Sequence, residues 1–263
     1  MAVHDFRSQR LFVDAPLHEG AEVACERGQA NYLRNVLRMG DGAAILVFNG
    51  REGEWRARLS AQGKRDCNLC IEEQVREQVG GPKVRYLFAP LKRARLDYMV
   101  QKATEMGVES VEPVITGRTV AERVNLERMR ANVIEAAEQC GVLRIPRVAE
   151  PVRLEACLAG WPADHVLFFA DEASEAANPI EVFAGIERGA PAGVLIGPEG
   201  GFSAEERARI RAMPAARTVS LGPRIMRADT AAVALLALVN ATIGDWDRRG
   251  NLRGACRQGR APP

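Results

Sequence analysis

The hydrophobic pattern of this 263-residue chain changes period once, at Gly80-Gly81-Pro82, and no other feature constrains the fold as much. Before that point apolar residues come in short runs, at 11–13, 43–48, 55–59 and 67–72. Turn residues divide them: Met39-Gly40-Asp41-Gly42, Asn49-Gly50 and Gln62-Gly63-Lys64. Short apolar runs bounded by such residues read as strands. Asn49-Gly50 reads as a type I′ hairpin turn, which needs positive φ at both positions. One helical stretch interrupts the strands, with Ala30, Leu33, Val36 and Leu37 at helical spacing and Arg34 and Arg38 one turn apart. Residues 1–80 are therefore expected to form a small β-barrel with one helix.

From Pro82 on, strand-like and helical stretches alternate. Residues 84–89 read as a strand. Leu96, Met99, Val100 and Ala103 line one helix face, and Gly107 supplies the stop. A strand at 111–115 follows, then a helix from Asn125 to about Cys140-Gly141. Residues 165–170 and 193–196 are continuous apolar runs, as in strands buried on both faces. Ser203-Ala204-Glu205-Glu206 is a capping box for the next helix. Residues 218–221 read as a strand, and Asp229-Thr230 opens an apolar helix reaching Ile243. This alternation predicts an α/β domain with a parallel sheet over 82–247. The Gly/Arg/Pro-rich tail, 248–263, is expected to be loose.

Composition narrows the class. With 47% apolar and 27% charged residues the chain is globular rather than disordered. The longest apolar run, 231–239, is nine residues, about half a membrane span. The start, MAVHDFRSQR, has no apolar stretch of the kind a secretory signal needs. Six cysteines are too few for a disulfide scaffold at this length, so a cytoplasmic protein with reduced thiols is expected. No metal is expected: residues three apart on a strand, such as Cys67 and Cys70, face opposite sides. The only histidines, His4, His18 and His165, do not complete a ligand set.

Charge is informative only when divided. The 36 basic and 34 acidic residues nearly balance, but five arginines lie in the tail, leaving 31 basic against 34 acidic in 1–247. Lysine occurs only at 64, 83, 92 and 102; the other 32 cations are arginines. Arginine grips phosphate bidentately, which fits a nucleic-acid partner, though a genome-wide arginine bias fits as well. Residues 1–80 hold 11 basic and 12 acidic side chains, so any RNA contact there depends on arrangement rather than net charge.

Two loops carry the chemistry. Leu195-Ile196-Gly197-Pro198-Glu199-Gly200-Gly201-Phe202 leaves a buried strand and runs into the capped helix. Its glycines admit either a close-lying ligand or a tight turn, and ligands of open α/β sheets bind at the carboxyl ends of strands. Leu221-Gly222-Pro223-Arg224-Ile225-Met226-Arg227-Ala228-Asp229-Thr230 is a second strand-to-helix connection, with two arginines and a carboxylate. It reads either as a site or as a solvated loop with an Asp or Thr cap. Neither loop is a dinucleotide or NTP phosphate motif.

These two loops, with Glu135-Ala136-Ala137-Glu138-Gln139-Cys140 and Lys102-Ala103-Thr104-Glu105-Met106-Gly107-Val108, resemble the ribosomal RNA small subunit methyltransferase E family. The resemblance runs from about Arg10 to Ile243. It implies a C-terminal SPOUT-type parallel-sheet domain with a trefoil knot, preceded by an N-terminal PUA-like β-barrel that binds RNA. It also implies a homodimer with the site near the subunit interface. The implied reaction is methylation of N3 of one uridine in the 16S rRNA of the small ribosomal subunit, using S-adenosyl-L-methionine. Ordinary connection rules would not have produced the knot.

Carried over residue by residue, the resemblance gives the cofactor Phe169, Ala170, Ile196, Gly197, Glu199, Gly200, Gly201, Leu221, Gly222, Arg224, Ile225 and Met226. Arg227 and Arg224 are candidates for stabilising the uridine anion and gripping RNA. Glu199 and Asp229 are candidates for proton acceptor, or alternatively a loop partner and a helix cap. Arg10, Arg34 and Arg38 are the barrel's candidate phosphate contacts. The chain departs from the family pattern at Asn31, where histidine is usual, and at Val142, where arginine is usual and Arg144 lies two residues on. It departs again at Leu126-Glu127-Arg128-Met129, where a tryptophan is usual. Two rival readings stand beside this one: a SPOUT enzyme acting on another RNA or on a ribose 2′-hydroxyl, and a catalytically inactive RNA-binding ribosome-assembly factor, which the departures at Asn31 and Val142 keep open.

Overall fold

A computed structural model describes residues 8–63, 66–120, 123–171 and 179–246. The described residues divide into two compact units, one built from residues up to 80 together with 137–145, the other from 81–136 and from 146 to the last described residue, 246. The tail 248–263 lies outside the described residues.

The N-terminal unit is a curled five-stranded sheet in the order β1-β3-β4-β5-β2. Its strands are β1 (Arg10–Phe12), β2 (Glu22–Ala24), β3 (Ala44–Phe48), β4 (Glu54–Gln62) and β5 (Asp66–Arg76). Alternation sorts the side chains: Ala57, Leu59, Cys67, Leu69 and Ile71 enter the core with Ile45 and Val47. On the outer face Arg58 Nε meets Glu72 at 2.8 Å, and Arg56 pairs with Glu73. Cys67 packs inward, and Cys70, three residues on and so out of phase, is half-buried on the other face. Burial, with Cys67 beside it, pushes the Cys25 thiol up to about 12.

The single helix, α1 (Arg27–Asn31), closes the barrel through Ala30 and Leu33. It runs into a π-helical turn over Tyr32–Val36, where the Leu37 N–H donates to the Tyr32 carbonyl at 2.9 Å. The wide turn ends in Arg38 at φ +55°, a left-handed conformation that no other described non-glycine residue adopts.

Two expectations for this unit need correction. Asn49-Gly50 is not a two-residue turn; β3 and β4 are joined by the five residues 49–53. Asn49 is buried, and its Oδ1 accepts the N–H groups of Arg51 and Glu52 at 3.0 Å, which holds the wider loop. Arg10 is not available to RNA. Its side chain is 4% exposed and its Nε donates to Glu54 at 2.9 Å, while Arg76 donates to the same carboxylate and to the Gly141 carbonyl at 3.0 Å. A buried guanidinium serving a buried carboxylate cannot also reach a phosphate.

Residues 137–145 complete this unit. Ala137 and Leu143 pack on Phe48 and Phe12, and Glu138 accepts the Phe12 N–H at 2.8 Å.

The second unit carries a sheet in the order β12-β10-β11-β6-β7-β8, with β9 on β7, and every pairing is parallel. Its strands are β6 (Val84–Phe88), β7 (Ser110–Ile115), β8 (Arg147–Val148), β9 (Val152–Arg153), β10 (Val166–Ala170), β11 (Ala192–Ile196) and β12 (Ala216–Val219). The helices are α2 (Arg93–Glu105), α3 (Leu126–Cys140), α4 (Leu154–Ala159), α5 (Pro179–Phe183), α6 (Ala204–Arg211) and α7 (Ala228–Thr242).

Both faces of this sheet are covered, as the continuous apolar runs require. Leu87, Leu167, Phe169 and Leu195 pack with Leu154, Leu158 and Ile210 of α4 and α6. Phe168 points the other way, onto Phe183 of α5 with ring centroids 4.6 Å apart. Tyr86 and Phe88 are stacked at 5.0 Å, and α2 and α7 pack on one another. The Asn125 side chain accepts the Arg128 N–H at the start of α3, as expected of a cap. At the amino end of the sheet, Glu112 receives Arg85 twice, at 2.9 and 2.7 Å, Ser110 at 2.6 Å and Arg147 at 3.0 Å. The Arg85 guanidinium lies 4.5 Å over the Trp161 ring. Among the described residues no helix is long and apolar enough to cross a membrane, and the five described cysteines are free.

Candidate functional site

Because the strands are parallel, the connections leaving β10, β11 and β12 all gather at one edge of the sheet. The two loops singled out in the sequence leave β11 and β12 there. With Ala170 and Asp171 at the end of β10 they enclose an open cleft of about 200 Å³.

The first loop is tightly held. Gly197 must be glycine: a Cβ there would stand 2.7 Å from the Phe202 ring, which is buried and packs edge-on to Phe169 at 5.1 Å. The Gly201 N–H donates to the Pro198 carbonyl at 2.8 Å. Arg118 donates to the Gly200 carbonyl at 2.7 Å, and Arg95 holds Glu199 at 3.1 Å. Ser203 and Glu206 form the expected capping box, and buried Glu206 also accepts the Gly117 N–H at 2.7 Å. The loop is thus fastened at four points without sealing the cleft.

The second loop differs. Gly222 has φ +98°, which favours glycine, and Ile225 is 89% exposed. Among the described residues, none donates to or accepts from the main chain of 222–225. The exposed peptide groups of 222–225 and the Ile225 side chain therefore face solvent at the mouth of the cleft. The helix that follows, α7, has Arg227 at its N-cap, without a side-chain cap bond.

Of the sequence-derived residues, Ala170, Ile196, Gly197, Glu199, Gly201, Leu221, Gly222, Arg224, Ile225, Met226 and Arg227 line this one cleft. Three do not. The Phe169 side chain is fully buried in the core, and Gly200 stands behind the loop against Arg118. Asp229 lies in the first turn of α7, where its Oδ1 accepts the Thr230 N–H at 2.9 Å, and Arg227 rather than Asp229 holds the cap position. The Asp229 charge, together with complete burial, raises the Tyr86 hydroxyl well above its ordinary pKa, burial contributing most. Arg34 is half-buried in the π-helical turn of the N-terminal unit, and Arg38 is exposed just after it. Sequence reasoning missed Asp171 and Arg207, which also line the cleft; a lone Asp after a strand and an Arg inside a helix offer no local signal.

Comparison with known proteins gives consistent results. Residues 80–240 match the RNA methyltransferase domain family, and residues 26–71 match the RNA methyltransferase PUA domain family. A ribosomal RNA small subunit methyltransferase E from Rickettsia conorii is 26% identical over 231 residues, covering 88% of this chain and 94% of the relative. One from Synechocystis is 30% identical over 230 residues, covering 85% and 74%. Among solved structures, the Neisseria gonorrhoeae ribosomal RNA small subunit methyltransferase E bound to S-adenosyl methionine superposes with a TM-score of 0.82 at 25% identity. That match covers 91% of this chain and all (100%) of the other. A Legionella pneumophila protein in complex with the same cofactor gives 0.82 at 26% identity, covering 91% and 99%.

Proposed function

Because this chain belongs to the ribosomal RNA small subunit methyltransferase E family, with a PUA-like N-terminal sheet and a SPOUT-class domain, we propose that it methylates N3 of one uridine in 16S rRNA within the small subunit. S-adenosyl-L-methionine is the methyl donor in this reading. One observation carries it: both family loops, 25 residues apart at Gly197 and Gly222, meet as the walls of one cleft. The fit to the cofactor rests on donor chemistry. An adenine ring suits an apolar slot edged by unengaged peptide groups, which Ile196, Leu221, Ile225 and Met226 and the main chain of 222–225 provide.

When bound, the cofactor supplies a sulfonium-activated methyl carbon. The chain's own residues then have three tasks: to orient the uridine, take its N3 proton and stabilise the resulting charge. Arg227, exposed at the N-cap of α7 and lining the cleft, is placed for the last. Of the two candidate carboxylates, Glu199 lines the cleft and Asp229 does not, so Glu199 is the proton acceptor, oriented by Arg95. Arg224 at the rim and Arg38, just past the π-helical turn of the barrel, serve RNA phosphate. The assembly is a cytoplasmic homodimer, with the half-buried Val233, Ala237 and Leu238 of α7 at the subunit contact.

The test is calorimetric titration of S-adenosyl-L-methionine into the full chain and its Leu221→Arg variant, followed by methyl transfer to unmodified small subunits and mapping of the modified atom. Leu221→Arg is preferred to Gly197→Trp, which would also displace Phe202. Saturable binding lost in the variant, with methyl on uridine N3, is the expected result. Methyl on another RNA or on a ribose oxygen would overturn the assignment of the atom. No binding with or without the subunit would overturn the enzyme reading altogether.

A further inference from the structure

On the N-terminal unit, the π-helical turn over Tyr32–Val36 sets apolar side chains away from the core. Leu33 is fully buried, and Leu37 and Met39 pack against the barrel core. Val36 shares helical spacing with Ala30, Leu33 and Leu37, yet it is 62% exposed, because the wider turn carries it off the buried face. Tyr32, one turn before it, is 39% exposed. Asn35 Nδ2 donates to Asn31 Oδ1 at 2.8 Å across the same turn and braces this outer side. Arg38 then closes the turn in a left-handed conformation that costs any residue with a Cβ. Both π-helical turns and strained backbone of this kind are concentrated at functional sites.

The segment is cationic as well as apolar. Residues 27–40 hold Arg27, Arg34 and Arg38 and no acidic residue. Among the described residues, none makes a hydrogen bond, ion pair or ring contact with the side chains of Tyr32, Arg34 or Arg38. Arg34 Nη1 is enclosed without an acceptor, an uncommon state for a buried donor and one that turning outward to an anion would relieve. A partner that offers flat apolar faces together with negative charge matches such a surface, and single-stranded RNA offers both. An acidic protein could match the arginines too, but residues 26–71 match the RNA methyltransferase PUA domain family, which favours RNA. We propose that Tyr32 stacks on an unpaired base of the substrate RNA while Arg38 binds the adjoining phosphate. Tyr32 does not line the cleft, so this base is not the uridine that receives the methyl. The proposal rests on the RNA-substrate reading given above.

The experiment is filter binding of the full chain to unmodified small ribosomal subunits over a series of salt concentrations. Base–aromatic stacking predicts that Tyr32→Ala weakens binding by about 10- to 100-fold. Tyr32→Trp should bind at least as tightly as wild type, and Tyr32→Leu, apolar but without a π-face, should fall with alanine. Arg38→Gln should lower the slope of log Kd against log salt by about one, whereas Tyr32→Ala leaves that slope unchanged. Should the alanine variant not fold, the tryptophan and leucine pair carries the same comparison. Wild-type affinity in Tyr32→Ala would overturn the proposal while leaving the enzyme reading standing. So would a leucine variant as tight as the tryptophan one, the pattern of an apolar protein contact. A Tyr32→Ala variant that also loses affinity for S-adenosyl-L-methionine would mark a structural role and overturn it too. An unchanged slope in Arg38→Gln would overturn the phosphate contact. No binding of small subunits by wild type would overturn the substrate reading and the proposal together.

Discussion

The two ends of the parallel sheet hold polar clusters of similar make-up and opposite character. At the amino end, Glu112 is met by Arg85, Arg147 and Ser110, with Trp161 stacked on Arg85, and the cluster is closed on itself. Burial alone would push the Glu112 carboxyl up. The hydrogen bonds from Arg85 and Ser110 and the charges of Arg85 and Arg147 outweigh it and hold the group below its ordinary range. At the carboxyl end, Asp171 is shared by Arg207 and Arg211, and Arg224 and Arg227 add charge at an open cleft. The first network is enclosed and serves the fold, whereas the second lies along an open cleft.

The comparison predicts that damage at the two ends separates into different observables. The largest effect is expected from Leu221→Arg: cofactor binding falls below detection by calorimetry, while thermal stability changes by no more than about 1 kcal/mol, because the side chain enters an open cleft. Next comes Glu112→Ala, which strands Arg85 and should cost about 3–5 kcal/mol in urea unfolding, with cofactor affinity unchanged at temperatures where the variant is folded. Arg227→Ala should reduce kcat for methyl transfer by about 10²–10³-fold, with little change in cofactor Kd. An equal loss in Kd would place Arg227 in cofactor binding instead.

A smaller effect follows from pH. A carboxyl whose folded pKa lies below its unfolded value stabilises the fold above the unfolded pKa, about 4.3 for Glu. That contribution is lost as pH falls through the folded value. Thermal melts of wild type should therefore drop more steeply below about pH 4 than those of Glu112→Gln, in which this linkage is absent. The smallest change is expected from Arg58→Ala on the barrel's outer face. Its exposed pair with Glu72 should be worth less than about 1 kcal/mol, a baseline for both ends.

What was legible in the sequence was local. The capping box at Ser203 and Glu206, the Asn125 cap, and the stop at Gly107, with φ +73°, are encoded within four residues of one another and appear as read. The continuous apolar runs at β10 and β11 imply cover on both faces and hence parallel neighbours, and strand-to-helix loops follow from that. Boundaries moved by a residue or two, and Asn49-Gly50 became part of a five-residue loop because Asn49 found closer main-chain partners.

What was not legible depended on distance along the chain. Glu138 meets Phe12 across 126 residues, Arg10 meets Glu54 across 44, and Arg211 meets Asp171 across 40. Nothing at either member of such a pair announces the other. An arginine read as a surface cation therefore proved to be a buried structural partner, and an unremarked aspartate proved to be the floor of the cleft. The amino-acid sequence by itself determined the period of each segment, its caps, and the two loops that mark the family. Tertiary structure alone decided which charges are enclosed and which are left facing the cleft, because desolvation and pairing are set by neighbours that only the folded chain brings together.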